Sequence, residues 1–226
     1  MADLRVDDDP PVRRLQGRAN DGAATRRSIM TAAAVLFSEH GYPSTSLNDI
    51  TAATGLTKGA VYWHFSSKEE IALSIVHETY ERWPKVLADI AAAHDDVLQA
   101  LVAVMNRIAQ EFMHDPATQA TKRLLFELPP ATLSELPRPY VQWELLVTSL
   151  LQDGQAKGQI SAHIPPAQAA RVMVASFYGM DQISYQLERR ADLLERVSEF
   201  WTLVWPALAP TEPIPAVGSP GVPSSG

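Results

Sequence analysis

A short run of aromatic and basic residues, KGAVYWH at positions 58–64, groups side chains of the kinds that contact nucleic acids. Lys58 carries a positive charge for a phosphate. Tyr62, Trp63 and His64 add hydroxyl, indole and imidazole groups together with flat ring surfaces. Such groups hold the sugar-phosphate backbone of a duplex and reach the edges of its bases. We therefore expect this run to contact double-stranded DNA.

The residues around this run form a pattern that would place it on one surface. Residues 45–68 predict two short helices, and Gly55 lies between them, where glycine can adopt a positive φ without steric cost. Ile50 gives the first helix an apolar face, and Thr57 is a candidate cap for a second helix over 58–65. This is a helix-turn-helix whose second helix suits a major groove. A helical hairpin that merely packs is the alternative.

Hydroxyl-bearing residues and lysines at the ends of these helices are further candidates for phosphate contact. Helix N-termini present free N–H groups and the positive end of the helix dipole to an anion. Ala60 and Trp63 are the candidates for contact with bases or thymine methyl groups. The full set predicted to contact DNA is Arg26, Thr45, Thr57, Lys58, Gly59, Ala60, Tyr62, Trp63, His64 and Lys68.

The stretch from Thr25 to Leu73 resembles the N-terminal domain of TetR-type transcriptional repressors. It follows the order A..LF...GY..T....I....G...G..Y.HF..KE.L, with Ile71 where the pattern often has leucine. The resemblance implies a three-helix DNA-binding domain. It implies little about a ligand, because the family varies its C-terminal part.

Composition limits the class of protein. The chain has 226 residues, of which 46% are hydrophobic, and it has no cysteine, so disulfides and thiolate chemistry are excluded. No apolar run approaches the ~18 residues that a membrane span needs. The acidic N-terminus, MADLRVDDDPP, does not have the composition of a signal peptide. These features favour a cytoplasmic protein.

The net charge of −7 is unevenly distributed along the chain. Residues 10–68 hold seven basic and three acidic side chains, whereas residues 69–226 hold 11 basic and 19 acidic ones. A basic segment followed by an acidic one is typical of a DNA-binding domain joined to a regulatory domain. A nucleoid or architectural DNA-binding protein is the alternative, but it would be basic throughout.

The remaining pattern predicts an all-α fold, since no run of alternating β-branched residues is bounded by turns. We expect an N-terminal three-helix helix-turn-helix domain and a C-terminal helical domain for ligand binding and dimerisation. The expected divisions are a disordered arm at 1–22, the helix-turn-helix domain at 23–68, the ligand-binding and dimerisation domain at 69–208, and a disordered tail at 209–226.

Helical periodicity and breaker residues delimit the individual helices. The first is predicted at about 24–40. A helix that begins near Ser67 should kink or break at Pro84, since proline removes a backbone hydrogen bond. That kink would lie between the DNA-contacting helices and the ligand domain, although a plain helix boundary is the alternative. Further helices are predicted at 95–113, 117–128, 139–157, 165–187 and 190–208.

The last two helices combine small and large apolar residues in a way that permits close packing. The small-residue face includes Val172, Ala175, Ser176, Gly179 and Ile183, and we expect it to face Leu193, Leu194, Val197, Phe200, Trp201 and Val204. Pairing of two copies through a four-helix bundle would bury this surface and set two reading helices in successive grooves. An internal core alone is the alternative.

A second resemblance covers about 70 residues of the C-terminal half. Pro139-Tyr140-Val141-Gln142-Trp143, Gly154 to Gly158, Ser176-Phe177-Tyr178-Gly179 and Trp201…Trp205-Pro206 resemble the γ-butyrolactone-receptor branch of the TetR-type repressors. The resemblance implies a homodimer on a pseudo-palindromic operator, released by a small γ-butyrolactone, furan or butenolide signal. It also implies that Trp143 lines the signal pocket. An antibiotic or another hydrophobic compound is the alternative ligand.

A small amphiphilic ligand needs apolar walls and a few polar groups. The candidates for these roles are Trp143, Tyr140, Phe126, Met105, Trp83 and Tyr178 as walls, and Gln142, Gln119, Thr148 and Tyr80 as hydrogen-bonding groups. The rival class is an enzyme, but the chain contains no GxSxG, P-loop, GxGxxG after a strand, or HExxH. We therefore predict no catalytic activity, no metal and no cofactor.

Overall fold

The computed structural model describes residues 11–134, 136 and 139–209, with side chains from residue 21 onward except at position 139. All regular secondary structure in these ranges is α-helical, as predicted. None of the described helices combines the length and apolar character needed to cross a membrane. The helices are α1 (Pro11–His40), α2 (Leu47–Thr54), α3 (Lys58–His64), α4 (Lys68–Ala92), α5 (Val97–His114), α6 (Pro116–Glu127), α7 (Pro130–Leu133), α8 (Pro139–Ala156), α9 (Pro166–Glu188) and α10 (Leu193–Leu208).

The chain divides into two compact units. The first contains the described residues up to Arg82 together with segment 114–137, and the second contains 83–113 and the described residues after 138. The unit that holds the helix-turn-helix therefore extends beyond the predicted domain at 23–68. Helix α6 belongs to this unit because it packs along α1.

The core of the first unit is built from apolar residues at helical spacing. On α1, Ile29, Ala33 and Phe37 recur every four residues and are fully buried, which places them on one face. The other helices contribute the remaining buried side chains of this core, chiefly Ile50, Val61, Phe65, Ile71, Ile75, Val76, Ala120 and Leu124.

Helix α1 is longer than the sequence predicted. It begins at Pro11, whereas we expected a helix only from about residue 24 and disorder over 1–22. A proline is compatible with the first turn of a helix, since the N–H it lacks would have no intrahelical partner there. The following residues include good helix formers such as leucine, arginine and alanine. Positions 1–10 of the predicted arm and 210–226 of the predicted tail lie outside the described residues.

Helix α4 continues through its internal proline. A break at Pro84 is therefore wrong, whereas a kink there stays a prediction. Trp83 and Leu87 on this helix are both buried. The free energy gained by packing them offsets the loss of the backbone hydrogen bond that proline removes. Helix α6 ends at Glu127, just before Pro129 and Pro130, and Pro130 opens the short helix α7 as a proline at a first helical position.

The second unit has its own core, in which α9 packs through a different face from the predicted one. The buried residues of α9 are Ala170, Met173, Val174, Phe177, Asp181 and Ser184. Val172, Ala175, Gly179 and Ile183 are exposed instead of facing α10 within the chain. Both sets fit a helical period, so tertiary packing decides which face is inside.

Helix α10 begins three residues later than predicted because a polar corner precedes it. Arg189 and Arg190 both have a positive φ, and the backbone N–H of Arg190 donates to the carbonyl of Ser184 at 3.1 Å. The Nε of Arg190 donates to the buried carboxylate of Asp181 at 2.6 Å. This ion pair holds the end of α9 against the start of α10.

Candidate functional sites: a DNA-contacting helix and an apolar cavity

Helix α2 is anchored by a reciprocal cap. The backbone N–H of Asp49 donates to the hydroxyl of Ser46 at 3.2 Å, and the N–H of Ser46 donates to the Asp49 carboxylate at 2.8 Å. This capping box satisfies two otherwise free backbone donors. Hydrogen bonds from the side chain and backbone of Ser46 also lower the pKa of Asp49.

The turn and the cap of α3 follow the predicted pattern. Gly55 adopts a φ of 67° at the end of α2, a conformation that favours glycine. The hydroxyl of Thr57 accepts from the N–H of Ala60 at 3.2 Å and so caps α3. Val61 and Phe65 are buried, and their position orients the rest of α3 outward.

The outward face of α3 carries most of the residues predicted to contact DNA. Lys58 and Gly59 are exposed, and Ala60 and His64 are half-buried. Tyr62 is 47% exposed and Trp63 is 86% exposed. The Nζ of Lys58 lies 5.6 Å from the centroid of the Tyr62 ring. The exposed face of α3 therefore combines a positive charge with two large aromatic rings.

Two other predicted DNA contacts are held by partners inside the first unit. The guanidinium of Arg26 donates to the hydroxyl of Ser74 at 2.9 Å and lies 4.2 Å from the centroid of the Phe65 ring. Thr45 is buried, and its hydroxyl donates to the carbonyl of Gly41 at 2.8 Å. The sequence pattern locates these residues near the helix ends but does not reveal these partners.

Lys68 also has an internal partner. Its Nζ donates to the carbonyl of Tyr42 at 2.7 Å and lies 4.0 Å from the centroid of the Tyr42 ring. Partial burial lowers the pKa of this ammonium. The lysine therefore fixes the loop before α2, and in this conformation its charge is directed at that loop.

Helix α6 holds the same loop from another side. The carboxylate of Glu127 accepts from the N–H of Tyr42 at 2.6 Å and from the Nε of Arg123 at 2.6 Å. Arg123 also donates to the carbonyls of Ser38 and Glu39 near the end of α1, at 3.2 and 3.1 Å. This contact has no sequence signal, because nothing in the local pattern links residues some 85 positions apart.

The second unit contains a cavity between α5, α8 and α9. The centre of a water-sized sphere can occupy about 40 Å³ of it, and all the empty space, including open solvent at the mouth, is about 450 Å³. Its walls are almost entirely apolar. The lining residues are Leu101, Val104, Met105 and Ile108 from α5, Trp143 and Val147 from α8, and Met173, Val174, Phe177 and Tyr178 from α9.

The structure brings together three of the predicted ligand contacts, Met105, Trp143 and Tyr178, on the cavity wall. Trp83 lies behind the wall, with its ring centroid 5.2 Å from that of Trp143 in an edge-on arrangement. Tyr140 packs edge-on against Tyr178 at 4.7 Å. These two aromatics support the lining without forming it.

The other predicted ligand contacts lie elsewhere. Gln142 is exposed, and the hydroxyl of Thr148 donates to the carbonyl of Glu144 in its own helix at 2.6 Å. Phe126, Tyr80 and Gln119 belong to the first unit. Phe126 is 69% exposed on α6. The sequence-based assignment of these residues rested on residue type alone, which does not determine the direction of a side chain.

Seven lining residues were not predicted: Leu101, Val104, Ile108, Val147, Met173, Val174 and Phe177. The α5 members have the helical spacing of a core stripe, and that signal does not distinguish a core residue from a cavity wall. Only the packing of three helices shows which part of the stripe remains uncovered.

Two of the lining residues, Trp143 and Tyr178, carry a polar group on an otherwise apolar side chain. Burial, together with the neighbouring Tyr140 and Asp181, raises the pKa of the Tyr178 phenol. The phenol therefore stays protonated at neutral pH. Among the described residues, no cluster of three or more His, Cys, Asp or Glu side chains is placed to hold a metal.

Two family models match the chain, one over the helix-turn-helix and the other over the segment that contains the cavity. The model described as bacterial regulatory proteins, tetR family, matches residues 29–75, and the one described as tetracyclin repressor-like, C-terminal domain, matches residues 95–210. The chain belongs to the TetR family. In this TetR-family protein, the helix-turn-helix lies within the first matched segment and the cavity within the second.

Individual relatives refine the comparison. The A-factor receptor protein of Streptomyces griseus is 32% identical over 185 residues, which are 82% of this chain and 64% of the receptor. The chain therefore spans less than two thirds of that relative's length. A solved structure concerned with the control of antibiotic production by bacterial hormones is 42% identical, with a TM-score of 0.74 over 82% of this chain and 98% of that one. The crystal structure of a γ-butyrolactone receptor, an ArpA-like protein, is 29% identical, with a TM-score of 0.72 over 84% and 90% of the two chains.

Proposed function

We propose that this TetR-family protein is a repressor that binds a pseudo-palindromic operator as a homodimer and is released by a small diffusible signal of the γ-butyrolactone, furan or butenolide type. The observation that carries the proposal is the apolar cavity walled by Trp143 in the second unit. Its apolar surface suits a small, largely hydrocarbon ligand. The related γ-butyrolactone receptor supports the choice of signal class.

DNA contact is assigned to the outward face of α3. Lys58, Gly59, Tyr62 and His64 meet the duplex, and Trp63 and Ala60 touch bases or thymine methyl groups. Thr57, Thr45 and Lys68 lie at or near helix ends that face phosphates. Because Thr45 and Lys68 have hydrogen-bond partners within the first unit, they contribute to DNA binding by positioning the backbone as well as through their side chains.

The homodimer is assigned to the exposed apolar face of α9 and α10. Val172, Ile183, Leu187, Leu203 and Trp205 are all at least 36% exposed. Exposed apolar side chains on two neighbouring helices mark a candidate interaction site, and a two-fold axis would pair it with itself. The proposal places this dimer in the cytoplasm and assigns it no enzymatic activity, consistent with a family of regulators.

Ligand binding needs to weaken the free energy of operator binding by only a few kcal/mol to release the protein from the operator. An antibiotic or another hydrophobic compound is the second candidate ligand, since the almost wholly apolar wall does not select for one ring system.

A gel shift on the DNA upstream of the protein's own gene tests the proposal. We expect a shift with purified protein and its loss when a synthetic 2-acyl-γ-butyrolactone or an organic extract of the producing culture is added. A shift that neither addition reverses would contradict the signal class. Absence of any shift at low salt would contradict autoregulation from this operator.

A further inference from the structure

Helix α1 begins well before the part of it that builds the core. It starts at Pro11, whereas the first of its described side chains in the core of the first unit is that of Ile29. Residues 11–20 alone form nearly three helical turns, about 15 Å in length. The core therefore does not explain why the helix begins so early.

This early segment of α1 is basic. Residues 11–20, PVRRLQGRAN, include Arg13, Arg14 and Arg18 and no acidic residue. Arg14 and Arg18 are four positions apart, a spacing at which like charges on a helix repel each other. An anionic partner along the segment would remove this repulsion, so the charge pattern favours a polyanion as its ligand.

Helix α1 passes the C-terminal end of α3 directly after this segment. A Cβ placed on Gly22 would lie 3.9 Å from Cε1 of His64. One turn later, the guanidinium of Arg26 lies 4.2 Å from the centroid of the Phe65 ring. The side of α1 that carries positions 22 and 26 is therefore the side that meets the end of α3.

Helical geometry places two of the three arginines on this same side. Each residue of an α-helix is rotated by about 100° from the one before, so four positions differ by about 40°. Position 18 is thus about 40° from position 22, and position 14 about 80°, whereas position 13 is about 180° away. Arg18 and Arg14 continue the side of α1 that meets α3, and Arg13 belongs to the opposite side.

We propose that residues 11–20 of α1 form a second DNA-contacting element, in which Arg14 and Arg18 supply positive charge to phosphates beside the groove that α3 occupies. The inference rests on the proposed binding of α3 to duplex DNA. A duplex carries one phosphate charge per about 1.7 Å of its axis, so a helix segment of about 15 Å lying beside it passes several phosphates. Phosphate contacts carry no sequence information, and the element therefore adds affinity to any duplex.

The aspartates that precede this helix are the competing partners for the arginines. Asp3, Asp7, Asp8 and Asp9 carry as much negative charge as Arg5 and the three arginines of the segment carry positive charge. Negative charge is also favourable at a helix N-terminus, a role for the aspartates that does not involve the arginines. Pairing within the chain and pairing with DNA predict different effects of replacing one arginine.

Two single variants of the full-length protein test the inference, Arg18→Ala and its matched control Arg13→Ala. Each removes one positive charge from the same segment, on opposite sides of the helix. Fluorescence anisotropy measures their binding to a duplex from the DNA upstream of the protein's own gene, between about 50 and 200 mM salt.

We expect Arg18→Ala to make the slope of log K against log salt less negative by about 2 for the dimer, because each lost phosphate contact contributes about 0.9. Its affinity should fall at least about tenfold, and Arg13→Ala should keep the wild-type slope. An Arg18→Ala variant with the wild-type slope would overturn the inference, as would equal losses in the two variants.

A scrambled duplex of the same length separates phosphate contact from the reading of bases. The double variant Arg14→Ala/Arg18→Ala should lose affinity for the upstream duplex and for the scrambled duplex by the same factor. A loss confined to the upstream duplex would contradict phosphate contact. Lys85→Ala/Lys157→Ala is the control for net charge, because both lysines are exposed in the second unit, and it should bind as the wild type does.

A proline at position 17 tests whether the element must be helical. Gly17→Pro keeps every charge but interrupts the helix, and we expect it to lose as much affinity as the double variant. Gly17→Ala, which favours the helix, should bind at least as tightly as the wild type. Wild-type affinity in Gly17→Pro would show that the arginines act from a non-helical arm and would overturn the inference.

These outcomes are distinct from failure of the proposed function. The replaced positions of α1 all precede Ile29, the first described core residue of that helix, so the thermal unfolding of the variants should match that of the wild type. If the wild type binds the upstream duplex and Arg18→Ala binds it equally well, only the present inference fails. If the wild type binds neither duplex at low salt, the proposed function fails together with it.

Discussion

At the scale of single residues, Tyr62 and Trp63 are the exposed aromatic residues on the face of α3 that we propose contacts DNA. Both are exposed beside Lys58, and neither contributes to the buried core of its unit. Because their exposed rings add nothing to the packing of the unit, we assign these two residues to contact with duplex DNA.

Replacing Tyr62 with alanine should weaken binding to different operators to a similar extent, by about tenfold each, because a phosphate contact carries little sequence information. Fluorescence anisotropy on a set of operators at one salt concentration measures this. Phe126→Ala is a matched control, since Phe126 is an exposed aromatic on another helix of the same unit. Unchanged affinity in Tyr62→Ala would remove this residue from the interface.

Replacing Trp143 with alanine should leave operator affinity within about threefold of wild type and abolish release by ligand. The residue lines the cavity in the second unit and is not part of the helix-turn-helix. Titration of the operator complex with the synthetic lactone measures release, and a thermal melt checks folding, because truncating a packed tryptophan can cost about 3–5 kcal/mol. A well-folded variant that is still released at wild-type ligand concentrations would refute the assignment of this cavity.

At the scale of secondary-structure elements, the caps and turns of the helix-turn-helix determine how α3 is presented. The capping box of Ser46 and Asp49 fixes the start of α2, and α6 holds the loop before it. Substitutions in the capping box, or at the loop that α6 contacts, should therefore lower the stability of the first unit.

The Ser46→Ala variant should lose the cap, cost about 1 kcal/mol of stability and raise the pKa of Asp49. In the wild type this pKa is lowered by the Ser46 hydrogen bonds. The carboxylate therefore contributes stability above its unfolded pKa, about 3.9, and this contribution is lost as the pH falls through the lower folded value. NMR titration of the Asp49 carboxyl carbon in both proteins checks the shift. Identical titration curves would show that the cap does not act on this carboxylate.

The Gly41→Ala variant should destabilise the first unit by about 1–3 kcal/mol. Gly41 has a φ of 84°, and a Cβ there would lie 2.6 Å from the Glu127 carboxylate. The left-handed conformation alone costs an alanine about 1–2 kcal/mol. Gly59→Ala is the matched control for stability, because a Cβ at this helical glycine would meet no atom within 4 Å. Urea unfolding measures both, and equal stabilities of the two variants would contradict the close contact between Gly41 and α6.

At the scale of the whole molecule, operator binding depends on the proposed pairing of two copies through α9 and α10. A charge on the exposed apolar face of α9 should prevent this pairing without disturbing the internal core. The Ile183→Glu variant should raise the dimer dissociation constant at least about 100-fold, since burying an unpaired carboxylate is strongly unfavourable.

Analytical ultracentrifugation measures this dissociation. Leu145→Glu is the control, because Leu145 is an exposed apolar residue on α8 rather than on α9. A monomeric variant should also lose affinity for a two-half-site operator while keeping its affinity for cavity ligands. If Ile183→Glu remains a dimer at micromolar concentrations, the interface lies elsewhere.

The sequence by itself determined the all-α class, the helix-turn-helix and the approximate position of most helices. These features depend on local rules. Gly55 is needed where the backbone adopts a positive φ, Thr57 and Ser46 cap helices through neighbouring N–H groups, and buried residues such as Val61 and Phe65 recur at helical spacing. Each rule involves residues only a few positions apart.

Only the tertiary structure decided which side of each helix is inside. Residues 172–183 of α9 contain two apolar faces of similar periodicity, and packing against the rest of the second unit buries Met173 and Phe177 while leaving Val172 and Ile183 exposed. The cavity has the same origin, because it is the part of the α5, α8 and α9 stripes that remains uncovered. Likewise, Glu127 meets the loop at Tyr42 only because the chain brings together positions 85 residues apart. Such contacts depend on the whole fold and have no local sequence signal.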